Sequence, residues 1–167
     1  MQTSASEFVQ YWRSVRQRTR RIVLLIPDAD MEWTYAPNRW SFGDIVRHLA
    51  GIERGMYAET SRGRPSAYPG HGRALAEGGE AVLRYLDAAH AESIAIFEAL
   101  TPEQWNGKCT TPAGTPITTW KWLRAMLEHE AHHRGQLYLM LGMRGVKTPP
   151  IYGLSEEEVL ERSRPIV

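Results

Sequence analysis

The sequence has little cysteine, little net charge and no long hydrophobic run. Cys109 is the single cysteine among 167 residues, so an intrachain disulfide is impossible, and we expect a reducing compartment such as the cytoplasm. The formal net charge of +1 gives no field that would favour nucleic acid or an acidic membrane surface as a partner. The longest apolar run near the start covers only residues 22–26, so neither a secretory leader nor a membrane span is expected.

The chain is long enough for one domain and carries one local excess of positive charge near its start. The chain is long enough for a self-sufficient hydrophobic core, and we expect a single domain over residues 1–167. Arg13, Arg16 and Arg20 lie at helical spacing in an arginine-rich stretch near the start. We interpret them as the solvated outer face of a helix, because charged clusters usually lie there.

Apolar residues at helical spacing predict two long helices in the first half of the chain. The first carries apolar side chains from Phe8 onward and ends at Pro27. The second begins at Ser41, where Asp44 completes an approximate capping box, and it ends near Ser61. A stretch rich in glycine and proline follows, about a dozen residues long, and this length favours a crossover over a tight hairpin.

The second half of the chain predicts two further long helices. The third covers roughly residues 74–100. The fourth begins at Thr118 or Thr119 and ends at Gly142 or Gly145. Four long helices without an alternating strand pattern predict an all-α four-helix bundle.

Shorter elements complete the predicted fold. A capped helical turn follows Thr101, and residues 106–117 read as a loop because they contain several glycines and prolines. Ser155 and Glu158 form a capping box, which predicts a short extra C-terminal helix.

The most informative motif is the string His-Glu-Ala-His-His-Arg-Gly-Gln at residues 129–136. Residues four apart share one face of a helix, so the imidazoles of His129 and His133 can converge on one ion. His48 lies on the apolar stripe of the second helix and supplies a third imidazole. Buried imidazoles are costly without partners, and one divalent metal would satisfy all three. We therefore predict a metal site with open coordination positions, suited to zinc, nickel, copper or iron.

Several neighbours are candidates for supporting roles. Glu130, His132 and Gln136 are the candidates for orienting a metal-bound imidazole from a second layer of contacts. Arg134 is expected in a surface or dimer ion pair, with contact to an anionic substrate as the alternative.

Three other reactive side chains are interpreted as passive. His71 falls in a loop and His90 on a helix face without evident partners, so neither is assigned a function. Cys109 has only Lys108 beside it and no histidine nearby in sequence, which indicates an unactivated thiol.

The string at residues 129–133 also matches H-E-x-x-H, the motif of zincin metalloproteases. The metzincin extension of that motif fails, because Gln136 occupies its glycine position and Leu139 the position of its third histidine. The acids further downstream read as the start of a solvated helix, and no strand-rich subdomain for binding a peptide is predicted. These observations disfavour a peptidase.

A known family combines the same motifs. Residues 40–50, Trp-Ser-Phe-Gly-Asp-Ile-Val-Arg-His-Leu-Ala, resemble the W-S-x-x-[DE]-[IL]-x-x-H-L opening of helix two in the DinB/YfiT-like superfamily. Residues 129–136 are similar to that family's H-x-x-x-H-R-G-Q in helix four. Residues 141–145, followed by Pro149 and Pro150, are similar to its Leu-Gly and proline tail. The resemblance covers most of the chain in order and in spacing.

The resemblance implies a specific architecture and a specific site. It implies a four-helix bundle with a long crossover between helices two and three, and it implies homodimers. It also implies a three-histidine metal site, carried here onto His48, His129 and His133.

The activities known in that family give the functional hypothesis. Several relatives are metal-dependent thiol transferases that use bacillithiol, mycothiol or glutathione, and others isomerise maleylpyruvate with a thiol cofactor. We therefore expect a small-molecule substrate and a low-molecular-weight thiol, whose thiolate form a metal would favour. Two alternatives stay open, a metal-dependent hydrolase and a stress-associated metal-binding protein without turnover. A helical interaction module without metal is a further possibility.

Overall fold

This computed structural model describes residues 4–163. They contain four long helices, shorter helices and a small hairpin. The elements are α1 (Ala5–Val23), α2 (Phe42–Ile52, continued by Glu53–Ala58 and Glu59–Ser61), α3 (Gly79–Glu98), α4 (Pro102–Asn106), β1 (Lys108–Thr110), β2 (Pro116–Thr118), α5 (Thr119–Met143) and α6 (Glu156–Arg162). Helices α1, α2, α3 and α5 form the predicted four-helix bundle, and α6 is the predicted short C-terminal helix. Within the described residues, no helix has the length and apolarity needed to cross a bilayer.

Polar side chains begin several helices where the sequence predicted it. Capping boxes start α1 at Ser4, α2 at Ser41, α4 at Thr101 and α6 at Ser155. In each box a hydroxyl oxygen accepts a backbone N–H that has no partner inside the helix. These caps fix the register of each helix, and so they fix which residues face the bundle interior.

The apolar core has two parts, and α5 links them. One cluster contains Phe42 of α2 and Leu137 of α5, and the other contains Trp12 of α1 and Met126 of α5. The interval of α5 between Leu127 and Leu137 contributes to neither cluster. This polar interval in the middle of the bundle carries the histidine-rich string.

Helix α3 begins later than the sequence predicted. Gly78 has a φ of +81°, a conformation that favours glycine, and the backbone N–H of Gly79 donates to Oδ1 of Asp28 at 2.7 Å. Asp28 lies in the connection after α1, so its role in starting α3 could not be read from local sequence. The helix therefore starts at Gly79 rather than near residue 74.

The predicted loop at residues 106–117 contains a small antiparallel hairpin. Lys108 pairs with Thr118, and Thr110 pairs with Pro116. The turn contains Gly114 at a φ of +79°, which a glycine adopts without strain. Strands of three residues are too short for an alternating pattern to be visible in the sequence.

Helix α2 extends to Ser61, as predicted, but its middle is not a regular α-helix. The segment Glu53–Ala58 is π-helical. Such segments are rare and frequently lie at functional sites. Here Glu53 accepts a hydrogen bond from the indole of Trp12 at 2.7 Å, while the ring of Tyr57 lies 6.3 Å from that of His129.

The chain after α2 runs back along the same helix. The backbone N–H of Ala67 donates to the carbonyl oxygen of Gly55 at 2.7 Å. A Cβ on Gly55 would lie 2.8 Å from the carbonyl oxygen of Ala67, and a Cβ on Gly51 would lie 3.2 Å from that of Gly70. The contacts pass from Gly55 back to Gly51 as the chain advances from Ala67 to Gly70, so the returning segment runs antiparallel to α2. Because the connection returns to the start of α2, α3 runs parallel to α2, which is the predicted crossover.

A buried arginine fixes this crossover to α2. Arg47 is fully buried, and its guanidinium donates to the carbonyl oxygens of His71 at 2.8 Å and Ala76 at 3.0 Å. The same guanidinium pairs with Glu32 at 2.7 Å and Asp44 at 2.9 Å, so its charge is balanced. Arg47 precedes the first predicted metal ligand in the sequence, so the crossover is held beside that ligand.

The arginines of α1 correct one sequence interpretation. Arg16 is 2% exposed and forms ion pairs with Glu53 and, at 3.3 Å, with Glu130. Arg20 is half-buried and pairs with Asp87 of α3. Of the three arginines at helical spacing, only Arg13 lies on the solvated face. The interpretation was wrong for Arg16 because its partners lie on α2 and α5, far away in sequence.

Replacing Arg16 should therefore destabilise the bundle. Arg16→Leu leaves Glu53 and Glu130 buried with less compensating charge, and we expect a loss of about 3 kcal/mol or more in the free energy of unfolding. Urea denaturation at pH 7 measures this loss. Arg13→Leu is the matched control, because Arg13 and its partner Glu98 are both half-exposed; it should change stability by less than about 0.5 kcal/mol. Equal effects of the two substitutions would contradict the structural role of the buried arginine.

Candidate metal centre

Three imidazoles from two helices meet in the polar interval of the bundle. Nε2 of His129 lies 3.0 Å from Nε2 of His48 and 3.1 Å from Nε2 of His133. His48 and His133 are each 7% exposed, and His129 is half-buried. One nitrogen from each ring lies within 4.8 Å of the other two. The structure thus brings the three predicted ligands within reach of a common point.

Hydrogen bonds at the outer nitrogens determine which ring nitrogen of His133 is free. Nδ1 of His133 lies 2.7 Å from Oε1 of Gln136. An amide oxygen only accepts, so Nδ1 donates, and Nε2 of the neutral ring keeps its lone pair. Nδ1 of His48 lies 2.7 Å from the hydroxyl of Tyr68, which can accept in the same way. Gln136, one of the three second-layer candidates from the sequence, therefore contacts the outer nitrogen of His133.

Burial keeps the three imidazoles uncharged. Burial is the main cause that lowers the pKa of His48 to about 3 and that of His129 to about 4, and repulsion from neighbouring imidazoles adds to it. The pKa of His133 is also lowered by burial, although its hydrogen bond to Gln136 acts in the opposite direction. Neutral imidazole is the form that ligates metals, so the cluster is ready to bind at neutral pH.

The spacing of the rings fits a single divalent ion. Imidazole nitrogens bind zinc at about 2.0–2.1 Å, which separates neighbouring ligand nitrogens by about 3.0–3.4 Å in common geometries. The separations from Nε2 of His129 to the other two rings, 3.0 Å and 3.1 Å, agree with this range, and the remaining pair of ligand nitrogens lies within 4.8 Å. Among the described residues no carboxylate joins the cluster, so an ion held here would keep its full charge and open positions.

The crossover supplies residues that the sequence did not assign to the site. Nδ1 of His71 lies 3.4 Å from the hydroxyl of Tyr68, and the His71 ring packs 4.4 Å from that of Trp40. Trp40 also packs against His48 at 4.7 Å and stacks on His133 at 5.7 Å. The sequence analysis assigned His71 no function, and the structure places its ring beside the histidine cluster, 6.3 Å from that of His48. No local signal indicated it, because the path of the crossover depends on distant contacts.

An open cavity of about 550 Å³ adjoins the cluster. His133 and Gln136 form part of its wall, together with the loop before α2 and the last turns of α5. A second cavity, of about 660 Å³, lies between the end of α2 and the hairpin, and no histidine lines it. The first cavity is therefore the natural place for a small molecule that reaches the histidines.

Glu130 and His132 lie elsewhere than the sequence reasoning expected. The carboxylate of Glu130 is buried against Arg16, and burial raises its pKa. It faces α1 because consecutive helical residues differ by about 100° in direction, which turns it away from His129. His132 is exposed and touches the cluster only through the edge of the His133 ring, at 4.9 Å. Neither side chain hydrogen-bonds to one of the three clustered histidines within the described contacts.

The structure also gives the surroundings of Arg134, His90 and Cys109. Arg134 is 4% exposed and its guanidinium lies 3.4 Å from the hydroxyl of Thr19, so it is part of the interior and not a surface ion pair. His90 does have a partner, because its Nδ1 lies 2.9 Å from the carboxylate of Glu53. Cys109 is buried, and burial raises the pKa of its thiol, which agrees with an unactivated cysteine.

Sequence comparison identifies the class of protein. Residues 11–137 match the DinB superfamily, and the chain belongs to that superfamily. It is also 23% identical over 158 residues to the uncharacterized protein YrdA of Bacillus subtilis strain 168, covering 90% of this chain and 89% of YrdA.

Solved structures share the fold. A DinB-like protein from Bacillus cereus ATCC 10987 has a TM-score of 0.75 at 16% identity, covering 90% of this chain and 99% of that one. YfiT from Bacillus subtilis, described as a probable metal-dependent hydrolase with an unusual four-helix bundle topology, has a TM-score of 0.66 at 18% identity, covering 86% and 89%. The mycothiol-dependent maleylpyruvate isomerase has a TM-score of 0.65 at 14% identity, covering 81% and 61%. At these identities the similarity establishes the fold.

The lowered pKa of His48 predicts how the metal-free protein responds to acid. The unfolded chain takes up a proton below a pH of about 6.5, whereas folded His48, with a pKa of about 3, does not. Stability therefore falls as pH drops below 6.5, by up to about 2 kcal/mol for this group between pH 7 and pH 5. Urea denaturation in the presence of a chelator should show a shallower pH dependence for His48→Gln than for the wild type. His132→Gln, which removes an exposed imidazole from α5, is the control; a wild-type dependence in both variants would contradict the prediction.

Proposed function

We propose that this protein is a divalent-metal-dependent enzyme that transfers a low-molecular-weight thiol to an electrophilic small molecule. His48, His129 and His133 would hold the metal, with zinc, nickel and iron as the candidates. The main support for this proposal is that three uncharged imidazoles bring their nitrogens close together in the interior of the bundle. Such a donor set leaves positions for an exogenous ligand, as catalytic sites do and structural sites do not.

The thiol is supported by chemistry and by a structural neighbour. The named isomerase with this fold depends on mycothiol, a small thiol. A divalent ion bound at the histidines would favour the thiolate form at neutral pH. In the proposed transfer, the sulfur forms a bond to an electrophilic carbon, the leaving group departs with its electron pair, and the thiol proton goes to solvent.

The chain's own residues orient the site. Oε1 of Gln136 accepts a hydrogen bond from the Nδ1–H of His133, and the Tyr68 hydroxyl contacts Nδ1 of His48, so both rings present Nε2 inward. Trp40 packs on both rings and shields them from water on one side. The adjoining cavity of about 550 Å³ would hold the electrophile next to His133.

Metal-dependent hydrolysis is the second candidate. The similarity to YfiT, with its description as a metal-dependent hydrolase, favours it. The same open positions would accept water in place of a thiol. Substrate assays separate the two reactions, because only one of them consumes the thiol.

Metal binding is the first test. Protein purified without a histidine tag and reloaded should hold one equivalent of Zn²⁺ or Ni²⁺ by elemental analysis, with affinity measured against a competing chelator. Removal of an outer-layer partner typically lowers metal affinity by roughly 10- to 100-fold. His48→Ala removes a proposed ligand itself, so it should lower the affinity by more than this. The matched control His132→Ala removes an exposed histidine and should keep stoichiometry and affinity. Substoichiometric wild-type metal would favour an interaction module and contradict the proposal.

Turnover is the second half of the same test. The metal-loaded protein should conjugate at least one of glutathione, bacillithiol and mycothiol to monochlorobimane, and His48→Ala should lose this activity. Tight metal without turnover of any thiol or ester would indicate a metal-binding protein. Ester cleavage without thiol consumption would favour the hydrolase.

Tyr68 provides an independent prediction about the site. Tyr68→Phe removes the hydroxyl that contacts Nδ1 of His48 but keeps the ring, so we expect metal affinity to fall by about 10- to 100-fold. Chelator competition measures the change. Tyr85→Phe, a change on α3 that is made outside the cluster, should leave affinity unaltered. An unchanged affinity in Tyr68→Phe would mean that the crossover does not support the ligand.

Two expectations from the sequence stay predictions. These are the homodimer that the family resemblance implies and the cytoplasmic location.

A further inference from the structure

The cavity beside His133 combines apolar walls with a single formal charge. Trp40, Ile45, Met140 and Met143 contribute apolar surface to its walls. Arg39 is the one arginine or lysine in the lining, and no carboxylate lines the cavity within residues 4–163. A ligand that fills this cavity would therefore meet an apolar surface and one fixed positive charge.

Arg39 differs from the other arginines at this end of the bundle. Arg47 pairs with Glu32, and Arg144 pairs with Asp30 at 2.8 Å. The side chain of Arg39 has no ion pair or hydrogen bond to any described residue. An arginine without a partner at the rim of a cavity is available to a ligand, and its guanidinium matches a carboxylate through two parallel hydrogen bonds.

The loop that carries Arg39 is held in place by its own hydrogen bonds. The hydroxyl of Thr34 lies 2.9 Å from the carbonyl oxygen of Ala36 and 3.1 Å from that of Arg39. Asn38, which also lines the cavity, has a φ of +58°, a conformation that asparagine tolerates well. The backbone N–H of Arg39 also donates to the carbonyl oxygen of Ala36 at 3.3 Å, so local contacts hold the backbone under the guanidinium, which lowers the entropic cost of binding.

We propose that this cavity binds a small monocarboxylate with an aromatic or branched apolar body, and that Arg39 recognises its carboxylate. The apolar part packs against Trp40, Ile45 and Met140, next to the amide of Gln136 and the ring of His133. The claim that such a molecule is the electrophilic substrate rests on the proposed function. The binding itself does not, because it can be measured in the metal-free protein.

Isothermal titration of metal-free protein tests the binding. The probes are 4-phenylbutyrate and its uncharged analogue 4-phenylbutanamide. The carboxylate should bind about tenfold more tightly than the amide. Arg39→Gln should remove this preference, whereas Arg124→Gln, on an exposed part of α5 outside the cavity, should keep it. Chemical shift changes at the Trp40 indole N–H should accompany binding of either probe.

Several outcomes would overturn the proposal. Failure of both probes to bind, equal affinity for both in the wild type, or a preference that survives in Arg39→Gln would each do so. A carboxylate preference that appears only with metal and is independent of Arg39 would also overturn it, because the anion would then bind to the ion.

Turnover by the metal-loaded protein tests whether the carboxylate is a feature of the substrate. With thiol present, kcat/KM should be about tenfold higher for 4-(chloromethyl)benzoate than for 4-(chloromethyl)benzamide, and Arg39→Gln should equalise them. The thiol sulfur replaces chloride, which leaves with its electron pair. If neither chloride is consumed by the wild type, the proposed function fails, while the metal-free titrations still decide the carboxylate site.

Discussion

The burial of three neutral imidazoles at the centre of the bundle is the constraint around which the rest of the structure is arranged. Two helices must present these rings within hydrogen-bond distance of one another without a charge to hold them. One group of buried charges lies on the other side of α5, where Arg16 joins Glu53 and Glu130. Helix α5 thus separates two polar regions, one charged and facing α1, the other uncharged and facing α2. Among residues 4–163, no carboxylate or guanidinium hydrogen-bonds to these three imidazoles.

Much of this arrangement could be predicted from the sequence, because it depends on local spacing. The four-residue step between His129 and His133 and the position of His48 on an apolar stripe fix the direction of each ring. Caps such as those at Ser41 and Ser155 fix the helix starts. The residues that sequence reasoning misplaced depend on contacts between distant segments. Arg16 is buried because its acidic partners come from two other helices, and the role of a loop residue cannot be known until the path of that loop is known.

The crossover is the clearest example of such a non-local effect. Tyr68 and His71 lie in a stretch that reads as an irregular loop, yet both lie beside the histidine cluster. They reach it because Gly51 and Gly55 allow the returning chain to approach α2 at backbone contact distance. The carbonyl contacts of Arg47 then hold the segment there. The positions of the three histidines thus depend on two helices. Their surroundings depend on the connection between helices, a kind of segment that varies more among distant relatives.

The π-helical segment Glu53–Ala58 has a consequence for how this protein can change in evolution. A π-turn contains one residue more than an α-turn, so it is a place where a single-residue insertion is absorbed without breaking the helix. The parts of α2 before and after it therefore have independent rotational phases. A single-residue insertion absorbed in this segment would change the rotation of the part beyond Ala58, where Thr60 accepts a hydrogen bond from Trp122, and leave residues near His48 in their orientation. The two ends of the bundle can accordingly diverge at different rates while the centre stays the same.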